Sequence, residues 1–103
     1  MSIQILAADF DPWTCLADYQ RTRSGVPPGQ FGATAVFVGT MRDFNQGDAV
    51  QRLSLEHYPG MTESHLDKIA AEAAQRWDLV DTLIVHRVGE LEPGDPIVLV
   101  AVW

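Results

Sequence analysis

VDTLIVHRVGELEPGDPIVLVAVW, residues 80–103, decides how this chain folds. Val80 to Leu91 is dense in β-branched and aliphatic residues and reads as one strand. Glu92-Pro93-Gly94-Asp95 then reverses the chain. Proline at the second position presets φ and glycine at the third accepts a positive φ, the pattern of a type II turn. Residues 96–103 are a further strand, PIVLVAVW. Strands joined by so short a link favour antiparallel pairing.

The neighbouring stretch LEHYPGMTESHLDKIAAEAAQRW, residues 55–77, turns at Pro59-Gly60 and enters a helix. Thr62 is the expected N-cap, with Glu63 well placed against the helix dipole. Leu66, Ile69, Ala70, Ala73 and Trp77 form one apolar stripe, while Lys68, Glu72 and Gln75 fall outside it. Residues 51–57 alternate, with Leu53, Leu55 and His57 on one face and Arg52, Ser54 and Glu56 on the other. ATAVFVGTM (33–41) is apolar on both faces, as expected of a central strand, and is close enough in sequence to 51–57 to form a hairpin with it.

Nearer the start, residues 3–7 predict a short strand. Asp11-Pro12 then predicts a helix to about Arg21, with Asp11 as N-cap and Phe10 and Cys15 as a hydrophobic staple. Trp13, Leu16 and Ala17 are its expected inner face, and the glycine- and proline-rich stretch 24–32 is loop. The order β-α-β-β-α-β-β predicts an α+β fold, a largely antiparallel sheet with two helices against it. All 103 residues fit one domain.

Composition excludes several functions. A net charge of −7 argues against a nucleic-acid or polybasic membrane binder. No apolar run approaches the roughly 20 residues of a membrane helix, and MSIQILAADFD lacks signal-peptide features. One cysteine, Cys15, permits no intrachain disulfide, so a reducing, cytoplasmic setting is expected and the thiol reads as a small buried hydrophobe. The spacings of His57, His65 and His86 match no zinc signature.

Two arginines stand out. Arg42 sits where strand 33–41 empties into a polar loop, either solvated or placed to capture an anion with its planar guanidinium. Arg87 shares a strand face with Leu83 and Val85, so it is either paired with a carboxylate, Glu90 and Glu92 being nearby, or turned into a cleft. His57, on an apolar strand face, reads either as a hydrogen-bonded core histidine or as a pocket residue. Lys68, the sole lysine, projects from the polar helix face.

Three segments, FVGTMRDFNQGDAV, LEHYPGMTESHLDKIAAEAAQRW and VHRVGELEPGDPIVLVAV, together resemble the catalytic (large) subunit of molybdopterin synthase over roughly residues 32–102. The resemblance implies an α/β hammerhead-type fold and a homodimer. It also implies a ubiquitin-like small sulfur-carrier subunit whose C-terminal Gly-Gly thiocarboxylate gives sulfur to cyclic pyranopterin monophosphate, with no metal or other cofactor in the step. Thr40, Met41 and Arg42 fall on the family's substrate-binding tripeptide, with Arg42 as the phosphate contact and Phe37 as a further pocket position. Arg87 and His57 lie in family motifs without an assigned step. In that family the chain runs on to a His-Arg pair and two lysines that carry the chemistry. Residues 1–103 are therefore expected to be the N-terminal two-thirds of such a domain, inactive alone; the alternative is a carrier-binding or dimerising module that performs no chemistry.

Overall fold

The computed structural model describes residues 1–45, 48–49, 53–56 and 58–103. Along the chain come β1 (Ser2–Leu6), α1 (Pro12–Thr22), a 3₁₀ turn (Pro28–Gln30), β2 (Ala35–Thr40), and the two-residue strands β3 (Phe44–Asn45) and β4 (Asp48–Ala49). β5 (Leu53–Leu55), α2 (Met61–Arg76), β6 (Thr82–Arg87), β7 (Gly89–Leu91) and β8 (Pro96–Val102) follow. The main sheet has the order β1-β6-β8-β2, while β3-β4 and β5-β7 form two small sheets. Among the described residues only β1–β6 is a parallel pairing, so the α+β expectation holds with two helices and a mixed, mostly antiparallel sheet.

β6 and β8 are the centre of the sheet because their near-continuous apolar runs can be buried on both sides. Leu83 lies opposite Ala101 and Val85 opposite Leu99, and all four are fully buried. Leu16, Cys15 and Tyr19 of α1 pack on this face, with Phe10, Phe31, Val38 and Trp103 closing it. Burial of each leucine contributes about 1.5–3 kcal/mol.

Several sequence expectations are corrected. Strand 33–41 is an edge, not the centre: β2 pairs with β8 alone in the main sheet. Nor does it form a hairpin with the described part of 51–57, since β5 pairs with β7 instead. The apolar run of β2 reflects a sheet face left uncovered, with Phe37 62% exposed. Residues 80–91 are two strands, because Gly89 takes φ +93° and Val88 N–H bonds to the Leu6 carbonyl at 2.8 Å, turning β7 out of the main sheet.

Both helices form where expected and differ from expectation in detail. Asp11 caps α1 as predicted, its carboxylate accepting from Trp13 N–H at 3.0 Å and Thr14 N–H at 3.4 Å. Trp13 and Ala17, however, point outward, because the helix turns Tyr19 inward against Trp103 and Asp81. α2 begins at Met61 rather than after a Thr62 cap. Glu63 accepts from Gly60 N–H at 2.6 Å, and the Tyr58 carbonyl takes the N–H groups of Met61 and Thr62, each at 3.0 Å. Of the α2 stripe only Ala70 is fully buried, and Ile69 and Trp77 remain exposed.

The element the sequence reading missed is a buried knot at one end of β6 and β8. Asp81 Oδ1 accepts from the Met1 ammonium at 2.8 Å and Thr82 N–H at 2.9 Å; Oδ2 accepts from Tyr19 Oη at 2.9 Å and Arg23 Nη1 at 3.0 Å. The Arg23 guanidinium lies 4.4 Å from the Phe31 ring centre and 4.3 Å from that of Trp103. Trp103 Nε1 donates to Gln20 at 2.9 Å, and its N–H bonds to the Asp81 carbonyl at 3.0 Å.

Burial alone would raise the Asp81 pKa, but hydrogen bonds from the amino terminus, Tyr19 and Thr82 more than offset it and hold the carboxyl below its usual value. For Tyr19, burial first and then the bond to Asp81 push the phenol up to about 12. A lowered carboxylate pKa contributes stability that is present above about pH 4 and lost as pH falls through the folded value. A raised phenol pKa contributes stability that is present below about pH 10 and lost as pH rises through the folded value of about 12. Urea titrations across this range should show a decline above about pH 10 that Tyr19→Phe makes shallower. Leu99→Ala, which opens a cavity in the wholly buried centre, should cost about 2–5 kcal/mol in the same assay.

Candidate functional site

The site forms where β2 leaves the ladder. Gly39 pairs with Val98 and Thr40 with Pro96, so Ile97 is an extra residue and β8 bulges beside Thr40. Proline suits this place, the first position of its strand, where no ladder donor is needed. A Cβ on Gly39 would sit 3.0 Å from Val98 Cγ1 and 3.6 Å from Phe37 Cε1. The missing side chain leaves room for the Phe37 ring to lean over Gly39, with most of its surface open to solvent.

Beyond the bulge the backbone is held by the 92–95 turn. Met41 N–H donates to the Asp95 carbonyl at 2.9 Å, and Gly94 N–H donates to the Met41 carbonyl at 2.8 Å. Gly94 has φ +90° and Asp95 N–H bonds to the Glu92 carbonyl at 3.0 Å, as a type II turn requires. Met41 is buried while Thr40 and Arg42 on either side are exposed. A buried anchor between two exposed neighbours fixes the origin of the Arg42 side chain without covering it. Phe37 and Thr40 thus lie on β2, and Met41 and Arg42 follow directly at its end.

Arg87 resolves as an ion pair. Its Nη1 lies 3.2 Å from Asp95 Oδ2 and 3.4 Å from Asp9 Oδ1, and Nη2 donates to the Glu90 carbonyl at 3.1 Å. Its carboxylate partners include Asp95 and Asp9, where the sequence suggested Glu90 and Glu92; the fold, not sequence distance, brings them near. Asp95 Oδ2 also accepts Glu92 N–H at 2.9 Å. His57 lies outside the described residues.

Other candidates stand apart. Lys68 and His65 line an open groove with Gly60, Met61 and Ser64 at the start of α2. The Tyr58 hydroxyl donates to Glu56, which together with burial raises its pKa. Cys15 has its thiol pKa raised by burial and by the charge of Asp18, which disfavours the reactive thiolate. Among the described residues no cluster of His, Cys, Asp and Glu could hold a metal, and no helix is long and apolar enough to cross a membrane. The β2 end offers a cation, a hydroxyl and an aromatic face: the means to bind a planar anion, with no nucleophile among them.

An α+β domain with an exposed arginine just past the end of an edge strand is what fold and site define. The family model for the MoaE protein matches residues 8–103. The molybdopterin synthase catalytic subunit of Ralstonia nicotianae is 52% identical over 101 residues, covering 98% of this chain and 54% of that protein. Its counterpart in Pseudomonas aeruginosa is 51% identical over 100 residues, covering 97% of this chain and 63% of that one. Among solved structures, molybdopterin cofactor biosynthesis protein E from Burkholderia multivorans superposes with a TM-score of 0.77 at 47% identity, over 98% of this chain and 62% of that chain. The chain belongs to the MoaE protein family, as its motifs led one to expect. It spans between 54% and 63% of the length of these relatives.

Gly39→Ala should cost about 1–3 kcal/mol by forcing Val98 aside, and should shift the Phe37 ring resonances. Denaturant unfolding and aromatic NMR spectra check both.

Proposed function

We propose that residues 1–103 are the pterin-binding, N-terminal part of a molybdopterin synthase catalytic subunit. In this reading the phosphate of cyclic pyranopterin monophosphate meets Arg42, the flat pterin lies against the Phe37 ring, and Thr40 supplies a hydroxyl. The observation that carries it is the clamped Met41, which fixes exposed Arg42 at the end of the strand that also carries exposed Phe37. Membership of a family whose matched relatives are named as catalytic subunits of this synthase supports the same conclusion.

Sulfur would come from the C-terminal Gly-Gly thiocarboxylate of a small carrier subunit, within a homodimeric large-subunit core in the cytoplasm. The protein's own contribution here is binding and orientation. Lys68, its only lysine, lies on α2 in the separate groove. Residues 1–103 alone are therefore proposed to bind the pterin without turning it over. Product formed above background by the purified chain, given thiocarboxylated carrier and precursor, would contradict this.

Charge-assisted hydrogen bonds contribute about 1.5–3 kcal/mol, so Arg42→Ala should weaken binding of cyclic pyranopterin monophosphate roughly 10- to 100-fold. Calorimetric titration tests it, and an unchanged dissociation constant would overturn the assignment of Arg42.

A further inference from the structure

We infer that Arg87 is a positioning residue for the anion site, acting on Thr40-Met41-Arg42 through Asp95. The inference rests on the pterin-binding reading above and names a residue to which that reading gives no role.

The connection is short and runs through fixed atoms. Arg87 ends β6, with its side chain only 12% exposed, so it has little freedom to follow a moving partner. Its guanidinium is held at three points: Asp95 Oδ2, Asp9 Oδ1 and the Glu90 carbonyl. Asp95 in turn uses one carboxylate oxygen for both Arg87 and Glu92 N–H, which locks the 92–95 turn. The same turn then grips Met41 by two main-chain bonds, 2.9 Å from Met41 N–H to the Asp95 carbonyl and 2.8 Å from Gly94 N–H to the Met41 carbonyl.

Nothing in the β2–β8 ladder could do this instead. The register slips between Gly39 and Thr40, and the last paired residue is Thr40. Past that point the strand edge is held by the turn. Arg87 belongs to a different element, β6, and brings the rigidity of the buried sheet centre to the turn. Without its guanidinium the Asp95 carboxylate loses its cation, and Met41 loses the fixed partner that aims Arg42. A lysine at 87 could still reach one carboxylate, but a single ammonium cannot reproduce the forked contact with carboxylates on one side and the Glu90 carbonyl on the other.

The test measures amide hydrogen exchange and calorimetric binding of cyclic pyranopterin monophosphate on the 103-residue chain, for wild type, Arg87→Ala, Arg87→Lys, Asp95→Asn and the Arg87→Ala/Asp95→Asn double variant. Asp95→Asn keeps the shape and an acceptor for Glu92 N–H, so it serves if Arg87→Ala fails to fold. Protection of the Leu83 and Leu99 amides reports whether the core survives. The expected result is Met41 N–H exchange at least tenfold faster in Arg87→Ala and Asp95→Asn with core protection retained. Binding should weaken at least fivefold in both, Arg87→Lys should fall between, and the double variant should be no worse than the more affected single. Unchanged Met41 exchange overturns the inference, as does faster exchange with unchanged affinity, or additive losses in the double variant. If Arg42→Ala leaves affinity intact, the pterin reading fails separately, and Met41 exchange still decides whether Arg87 holds the segment.

Discussion

Everything in this fold depends on the antiparallel pair β6–β8 being tied at both ends by an arginine and an aspartate. At one end Arg23 meets Asp81 beside Trp103; at the other Arg87 meets Asp95. The two ties are unlike. Arg23 and Asp81 both have side chains 4% exposed, so each must be matched or left as an uncompensated buried charge, at a cost of about 3–5 kcal/mol. Four donors on Asp81 and three aromatic rings around Arg23 provide the match. Arg87 sits nearer the surface, where its value lies less in stability than in geometry.

From that tied pair the unequal coverage of the sheet follows. α1 covers one face completely over β6 and β8, because Tyr19, Phe31 and Trp103 converge on the first knot. On the opposite face, β2 lies at the edge with Phe37 open, and the α2 stripe is only partly covered. A radius of gyration of 15.0 Å, against about 13 Å for a chain of this length, agrees with small outlying sheets and uncovered apolar side chains. Phe37, one of the candidate site residues, lies on that open face.

Charge at the site works against the whole. The chain carries −7, yet its strand end offers an exposed guanidinium to an anion. Beyond about 8 Å physiological salt screens the acidic background, so the local arginine and the backbone that aims it decide binding. Arg87 contributes to that aim while its own charge is spent on Asp95 and Asp9. Two arginines that look alike in sequence thus differ in setting, Arg42 exposed at a strand end and Arg87 held against Asp95 and Asp9.

The sequence by itself determined the α+β class, the Asp11 cap, α2 and the type II turn at 92–95, and through its family motifs proposed Thr40, Met41, Arg42 and Phe37 as site residues. These are local or motif-borne properties: a capping carboxylate, a 3.6-residue stripe, a Pro-Gly pair, a run of family residues. Tertiary structure alone decided that β2 is an edge, that Gly89 splits 80–91 into β6 and β7, and that Arg87 pairs with Asp9 and Asp95. It alone revealed Asp81, whose partners Met1, Tyr19 and Arg23 lie far from it along the chain. An apolar strand looks the same whether its second face is buried or bare, and a charged residue does not announce a distant partner. Those choices are made by which surfaces meet, and no window of sequence contains both surfaces.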